Sequence, residues 1–488
     1  MGEPGSPKAR PRSLHLPAEV LFDLEEVLNE PRFMGVPIGS TLGDVFGLHL
    51  LHGNRSWNQR TIWVDRARLA YRFARGLRVP PLSREVSRPQ QARRILATLI
   101  GDQDRVRGLI QPVVERLGPD NCNVFVGTHG EPGASLPGLH TFTSSALLGY
   151  FDRAAWRKEF VSCFPQWRRR LRQALDAHGI PRFVAPHLLD AMMHSSQLVA
   201  AYHRLLEDLN PAVIVTDYDR NPTFSGLVLA ARTRGIAAVT LLHGVINPPY
   251  GYVPLLADVA CCWGDLSRQQ LIEMGTDPER LVVTGYHRTV PEPGIDRREA
   301  RHRIGIHDDR PVVVWTSNPI GIEMRHAQVR TFCQALSEWG EIGPVVRLHP
   351  SEVLETYAKE ISEFPMVRFT EASLVTEREM LSAAEVIVSY NSGLGNDALV
   401  AGKPVVVLNV TELPLGNAQP LIEKARCPYV RNAQELKQAV GRILTDRAWR
   451  EELEASAQKF VLHQFASFGE EALENVVRVV RERGRLPI

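Results

Sequence analysis

Several things are scarce in this sequence, and each absence narrows what it can do. No apolar run comes near the roughly eighteen residues that a membrane-spanning helix needs. The six cysteines, Cys122, Cys163, Cys261, Cys262, Cys333 and Cys427, form no C-x-x-C pair, which removes the common zinc and redox motifs. They are expected as small buried hydrophobes in a reducing compartment. Charge of one sign is missing too: Lys+Arg is 57 against Asp+Glu 55, so nothing announces a nucleic-acid binder. The opening "MGEPGSPKARPRSLHLPAEV" has no apolar core and is not a signal peptide, so a cytoplasmic protein is expected. Internal repeats and long low-complexity segments are absent.

What is present is an ordinary globular composition, 44% hydrophobic and 23% charged. The 488 residues are enough for about two to four domains. Basic residues cluster in "KARPR" near the start and in "WRRRLRQ" from Trp167 to Gln173. A solvated tail and a solvated helix face are the plain explanations; contact with anionic lipid or an anionic acceptor is the sharper one.

Residues 1–120 are expected to be largely helical, since "RARLAYRFARGL" and "QQARRILATLI" carry apolar residues three and four apart. "NVFVGTHGEPG" reads as a strand entering a Gly/Pro loop, followed by the helices "WRRRLRQALDAHG" and "HLLDAMMHSSQLVAAYHRLLEDLN". From Pro211 the pattern becomes regular. Short continuous apolar strands ("AVIVTD", "IAAVTLLHG", "ADVACCWGD", "RLVVTG") alternate with helices, which predicts a parallel sheet covered on both faces. A charged, proline-rich stretch around 287–311 breaks the alternation, which then restarts with "PVVVWTS", "PVVRLHP", "MVRFT", "EVIVSY" and "PVVVLN". The fold expected is therefore α/β: two doubly wound Rossmann-like domains, 121–292 and 293–465, with a helical N-terminal extension over 1–120. A C-terminal helix, 466–488, folds back on the first domain. Ligands of such pairs bind between the carboxyl ends of the two sheets.

The stretch "SYNSGLGNDALVAGKPVVVLN", Ser389 to Asn409, carries most of the chemistry. A P-loop needs Ser or Thr after Gly-Lys, and here Pro404 follows Gly402-Lys403. "GLGNDA" matches a dinucleotide fingerprint in form. However, Gly402 and Pro404 stop the helix after about two turns, whereas a crossover helix needs on the order of ten residues or more. A diphosphate site fits better: Ser392 and the amides after Gly393 stand at a helix N-terminus, and Asp397 lies one turn in. An ordinary strand-turn-helix with a polar tip is the plain alternative.

This stretch resembles the donor-binding signature of GT-B-fold glycosyltransferases, near the capsule, teichoic-acid and Kdo or sialic-acid transferases, and of the related non-hydrolysing UDP-N-acetylglucosamine 2-epimerases. "TLLHG", "ADVACCWGDLSRQQLIEMGTDPERLVVTGY", "VVVWTSNP" and "VVRLHPSE" follow the family's order, so the resemblance covers about Pro211 to Asn409. It implies His243 as general base and Arg347 and His349 as donor phosphate ligands. Asn391, Ser392 and Gly393 would hold the diphosphate, with Ser317 and Asn318 lining its loop. Asp397 would take the ribose, where the family more often has Glu. The residue chemistry is compatible: a leaving phosphate needs cationic and hydrogen-bonding partners, and an acceptor hydroxyl needs a base titrating near neutrality. Asp217 and Asp219 in "TDYDRNP" are alternative bases, and His129 is a weaker one.

The leading expectation is thus an inverting glycosyltransferase moving a sugar from a nucleotide-sugar donor to a saccharide or lipid-linked hydroxyl acceptor. No metal and no cofactor beyond that substrate are expected, nor a nucleic-acid partner; peripheral contact with a membrane is. "DYD", Asp217 to Asp219, matches D-x-D literally, a role not expected in paired doubly wound domains. The enzymatic rival is a UDP-sugar 2-epimerase, which "TGYHRTV", "RLHP" and "SGLGNDALVAGKPVVVLNVTE" also resemble. That family, however, carries a carboxylate where this chain has His243 and paired Glu where it has Asn396-Asp397. A third possibility is a non-catalytic scaffold whose helical N-terminal region binds a partner in a polymer-synthesis complex.

Overall fold

A computed structural model describes residues 12–487 apart from 44, 52–54, 58, 79–92, 100–103, 128–140, 144–146, 148, 243–245, 247–250, 289–295, 319–320, 351, 391, 411–414 and 416–417. The chain opens with a small ribbon in which β1 (Arg12–Ser13) pairs antiparallel with β2 (Ser56–Trp57). Between them lie α1 (Ala18–Leu28), a 3-10 turn at Gly39–Leu42 and a π-helical turn at Val45–Leu51; α2 (Gln59–Arg78) follows.

The first lobe contains β3 (Ile95–Leu99), α3 (Asp104–Leu117), β4 (Cys122–Val126), β5 (Thr141–Thr143), α4 (Arg153–Ala177), α5 (Ala185–Leu209) and β6 (Val213–Thr216). It continues through α6 (Ser225–Thr233), β7 (Ala237–Leu241), β8 (Val259–Cys262), α7 (Asp265–Glu273) and β9 (Leu281–Val283). Its seven strands are parallel, in the order β5-β4-β3-β6-β7-β8-β9. Alternate residues face opposite ways. Leu96, Phe125 and Ile214 pack under α1, α4, α5 and α6, whereas Ile95, Val124 and Val213 pack under α3 and the C-terminal helix.

One sequence expectation fails here. Ile95–Leu99, expected inside a helix, is β3, a strand in the middle of the first sheet. All five of its residues are buried, so apolar side chains are needed on both faces, and over so short a run that pattern looks like one face of a helix. The first sheet therefore begins well before residue 120.

The second lobe contains α8 (Arg297–Arg303), β10 (Val312–Thr316), α9 (Ile322–Leu336), β11 (Gly343–Arg347), α10 (Ala358–Glu363), β12 (Arg368–Thr370), α11 (Glu377–Ala383) and β13 (Val386–Ser389). It ends with α12 (Gly393–Val400), β14 (Val405–Leu408), α13 (Ala418–Glu423), β15 (Tyr429–Val430), α14 (Ala433–Thr445) and α15 (Arg447–Gln464). These six strands are also parallel, in the order β12-β11-β10-β13-β14-β15. The architecture is thus two doubly wound α/β lobes with a helical N-terminal extension.

α16 (Gly469–Gly484) leaves the second lobe and packs on α3, β6 and β7 of the first. The chain crosses between lobes twice, and the crossings lie side by side: Tyr286 N donates to Ser467 O at 2.8 Å and Ala466 N to Trp263 O at 2.9 Å. Gly285 permits this approach. Its φ is +97°, and a Cβ there would sit 2.7 Å from the Ser467 carbonyl oxygen.

Candidate functional site

Parallel strands in register bring their last residues to one edge of the sheet. In the second lobe Thr316 stands beside Arg347 on one side and Ser389 on the other, and Arg347 beside Thr370. Ser317, Asn318, Arg347, His349 and Ser392 therefore share the carboxyl edge, although they are spread over 76 positions of sequence. The continuous apolar strands "VVVW", "PVV" and "VIV" place them there by burying everything below that edge.

α12 begins at this edge. Ser392 caps it, its Oγ accepting from Leu394 N at 3.3 Å, and Ser392 N donates to Ser389 Oγ at 3.2 Å. Gly402, at φ +69°, ends it, with Lys403 N donating back to Ala398 O at 2.8 Å. The result is an eight-residue helix whose positive end faces the edge. Gly393 is its first residue, and Asn396 lies on its first turn. Among the described residues, Oδ1 of buried Asn318 and both amide atoms of buried Asn396 meet no hydrogen-bond partner. Buried amides without partners are uncommon in proteins.

The strand ends are held from behind. Glu352 accepts from His349 N (2.7 Å), from the Tyr357 hydroxyl (2.7 Å) and from Arg325. Tyr357 also bonds Ser317, and burial, followed by the facing Glu352, keeps its phenol protonated well above the ordinary range. Glu352 and Tyr357 thereby orient the loops that carry His349 and Ser317. Glu352 was visible in "RLHPSE" as a charge just past a strand; nothing local marked Tyr357.

Asp397, expected to take the ribose, has partners within the protein. One carboxylate oxygen accepts from the Tyr286 hydroxyl, and the other lies 3.6 Å from Arg288, which also pairs with Glu377 at 3.0 Å. Burial works against the charge of Arg288, but Tyr286, Asp397 and Glu377 outweigh it and hold its pKa above the ordinary value. Asp397 is therefore engaged by the interlobe linker. The hint in the sequence was "TGYHR", which supplies both partners.

At the carboxyl edge of the first sheet, Asp217 and Asp219 follow β6, and both are buried. Asp219 is committed to structure: its Oδ2 accepts from Leu256 N (2.7 Å) and Ala257 N (2.8 Å). Burial raises its pKa, and those amides, with Arg220 and Arg280, pull the other way. Arg220 donates two buried hydrogen bonds to the Glu25 carboxylate of α1, at 3.0 and 2.8 Å, tying the helical extension to this edge. His243, His129 and Asn391 lie outside the described residues. No cluster of three or more His, Cys, Asp or Glu among the described residues is placed to hold a metal ion.

A family model for UDP-N-acetylglucosamine 2-epimerase matches residues 251–466. The match takes in the last strands of the first sheet, the whole second lobe and both crossings. No curated protein matches the chain. Many solved structures do, and two of the most similar are of that kind. The UDP complex of MnaA from S. aureus superposes with a TM-score of 0.52 at 15% identity, covering 81% of this chain and 98% of that one. UDP-GlcNAc 2-epimerase from Neisseria meningitidis bound to UDP-GlcNAc gives 0.50 at 14% identity, covering 80% and 98%. At these identities the likeness is one of fold.

These findings overturn the glycosyltransferase expectation in favour of its epimerase rival. The physical reason for the error is that transferases and epimerases of this architecture present the same kind of edge to a nucleotide diphosphate. The motifs in the sequence report that edge and do not distinguish the two reactions.

Proposed function

We propose that this protein is a nucleotide-sugar epimerase of the UDP-N-acetylglucosamine 2-epimerase type, with the diphosphate held on the carboxyl edge of the second sheet. The observation that carries the proposal is the convergence on that edge of Arg347, His349, Ser317 and a Ser392-capped helix N-terminus, inside the segment matched by the epimerase family. Backbone amides at Gly393 and Leu394 and the guanidinium of Arg347 suit phosphate oxygens. The buried amides of Asn318 and Asn396 offer further donors and acceptors, and Asn391 belongs to the same loop.

Inverting the carbon beside the anomeric centre requires one group to remove its proton as the anomeric C–O bond to the UDP leaving group breaks, and another to return a proton on the opposite face as that bond re-forms. We assign these roles to the first lobe, with Asp217, which follows β6, and His243, two residues beyond the last residue of the neighbouring β7 in sequence, as candidates. Asp219 is a poor candidate because two backbone amides already claim its carboxylate.

One observation favours a second reading, a nucleotide-sugar-binding protein without turnover: Asp397 is engaged by Tyr286 and lies beside Arg288. A single experiment separates the two. The full chain is incubated with UDP-N-acetylglucosamine in deuterated water and followed by proton NMR. Loss of the C2 proton signal with appearance of the epimer is expected. Stabilisation by UDP without exchange supports the binding protein, and neither stabilisation nor exchange removes both.

A further inference from the structure

α2 has two faces of different character. Its inner face is matched to the protein. Ile62 and Leu69 pack on the first-lobe core, Asp65 is buried and bonded by Arg55 at 2.6 and 2.7 Å, and Arg72 pairs with Asp190 of α5 at 3.0 Å. Its outer face is largely exposed to solvent. Trp63 is 71% exposed, Tyr71 60% and Val64 39%, and Arg60, Arg66 and Arg68 are exposed beside them. At 100° per residue, Arg60, Trp63, Val64, Ala67, Arg68 and Tyr71 form one stripe, with the two aromatic rings about 12 Å apart along the axis. The helix carries six arginines and one acid, Asp65, which is turned inward and neutralised, in a chain whose net charge is only +2.

A lone exposed aromatic means little. Trp, Tyr and Val in one file, flanked by arginines and with no outward acid, are the composition of a helix lying in a bilayer interface, with aromatic rings at headgroup depth and guanidinium groups on lipid phosphates. The second lobe supplies a contrast: Val353, Ile361, Met366 and Leu374 are also exposed, but the acids Glu355 and Glu363 are exposed among them. α4, which touches α2, adds exposed Val161 between Arg157, Lys158, Arg168 and Arg169. No described helix is long and apolar enough to cross a membrane, so the contact would be peripheral.

We infer that the outer face of α2 docks the protein on an anionic membrane surface. The charge complementarity is with lipid phosphate, and the rings supply the apolar part. The test is co-sedimentation of the full chain with phosphatidylcholine vesicles, with and without phosphatidylglycerol. Binding to the anionic vesicles alone, falling with added salt, is expected. The R60Q/R68Q variant should bind roughly thirty-fold more weakly, from two lost lipid-facing charges. The W63A/Y71A variant should lose on the order of tenfold or more through apolar contact, and R447E, on the far lobe, should bind as wild type. All these side chains are exposed, so circular dichroism and thermal midpoints should stay unchanged. As a check independent of the charge variants, anionic vesicles should blue-shift tryptophan emission in the wild type and less in W63F. The inference is overturned by absence of binding at low salt, by equal binding of wild type and both double variants, or by a single-stranded oligonucleotide that binds this face and displaces the vesicles.

Discussion

The two carboxyl edges of this molecule are built from similar strands and are put to different use. On the first edge Asp219 and Arg220 are engaged internally, Asp219 by two amides and Arg220 by Glu25. On the second edge, Ser317, His349 and Ser392 are oriented from behind, while the amides of Asn318 and Asn396 meet no partner among the described residues. An edge whose polar groups are satisfied contributes stability; one that holds buried groups in reserve is prepared for a ligand. Substitutions at Asp219 and Arg220 should therefore act mainly on folding, and those on the second edge mainly on ligand affinity.

The largest effect is expected from Arg220→Ala. Removing one partner of a fully buried pair takes away the guanidinium that balances the Glu25 carboxylate, at a cost of about 3–5 kcal/mol. Chemical denaturation checks this, and UDP affinity of the folded fraction should not change; a loss of affinity would break the distinction between edges. Next comes acid sensitivity at His287, which follows β9 and bonds Leu109 O of α3 at 2.8 Å. Burial lowers its pKa from 6.5 to about 4, so the unfolded chain binds the proton first. Its contribution is complete above pH 6.5, falls as the pH drops toward 4 and amounts to roughly 3 kcal/mol. A stability profile of His287→Gln should be flatter over that window.

On the second edge, Arg347→Ala should weaken UDP binding by roughly ten- to a hundred-fold in calorimetry, the range of a charge-assisted hydrogen bond. An unchanged Kd would remove the diphosphate from this edge. Ser392→Ala should have the smallest effect, about 1 kcal/mol of stability for a lost helix cap and a few-fold in UDP affinity. These two measurements also sharpen the comparison, because Arg347→Ala should move affinity more than it moves the unfolding midpoint.

Much of the fold could be read along the chain because its strands are buried on both faces and appear as short apolar runs between punctuating glycines and prolines. β3 escaped for the same physical reason, since five buried residues carry no period that separates a strand from a helix. The carboxyl edge of the second sheet was legible at Ser392 and Gly393, where a helix start demands particular residues, and at the R-x-H-P element. Tyr357 was not legible, because its role comes from reaching Glu352 and Ser317 through space. Asp397 was read as a ligand because its place one turn into α12 is all that sequence shows of it; its partners arrive from residues 286 and 288 on the linker.

Local composition alone determined that the chain makes two parallel sheets and a short, serine-capped helix, because burial periodicity and backbone dihedral needs are properties of neighbouring residues. Only the tertiary structure decided which polar groups are satisfied within the protein and which face α2 leaves bare. Hydrogen-bond satisfaction and exposure depend on partners far apart in sequence, and spacing along a chain does not encode them.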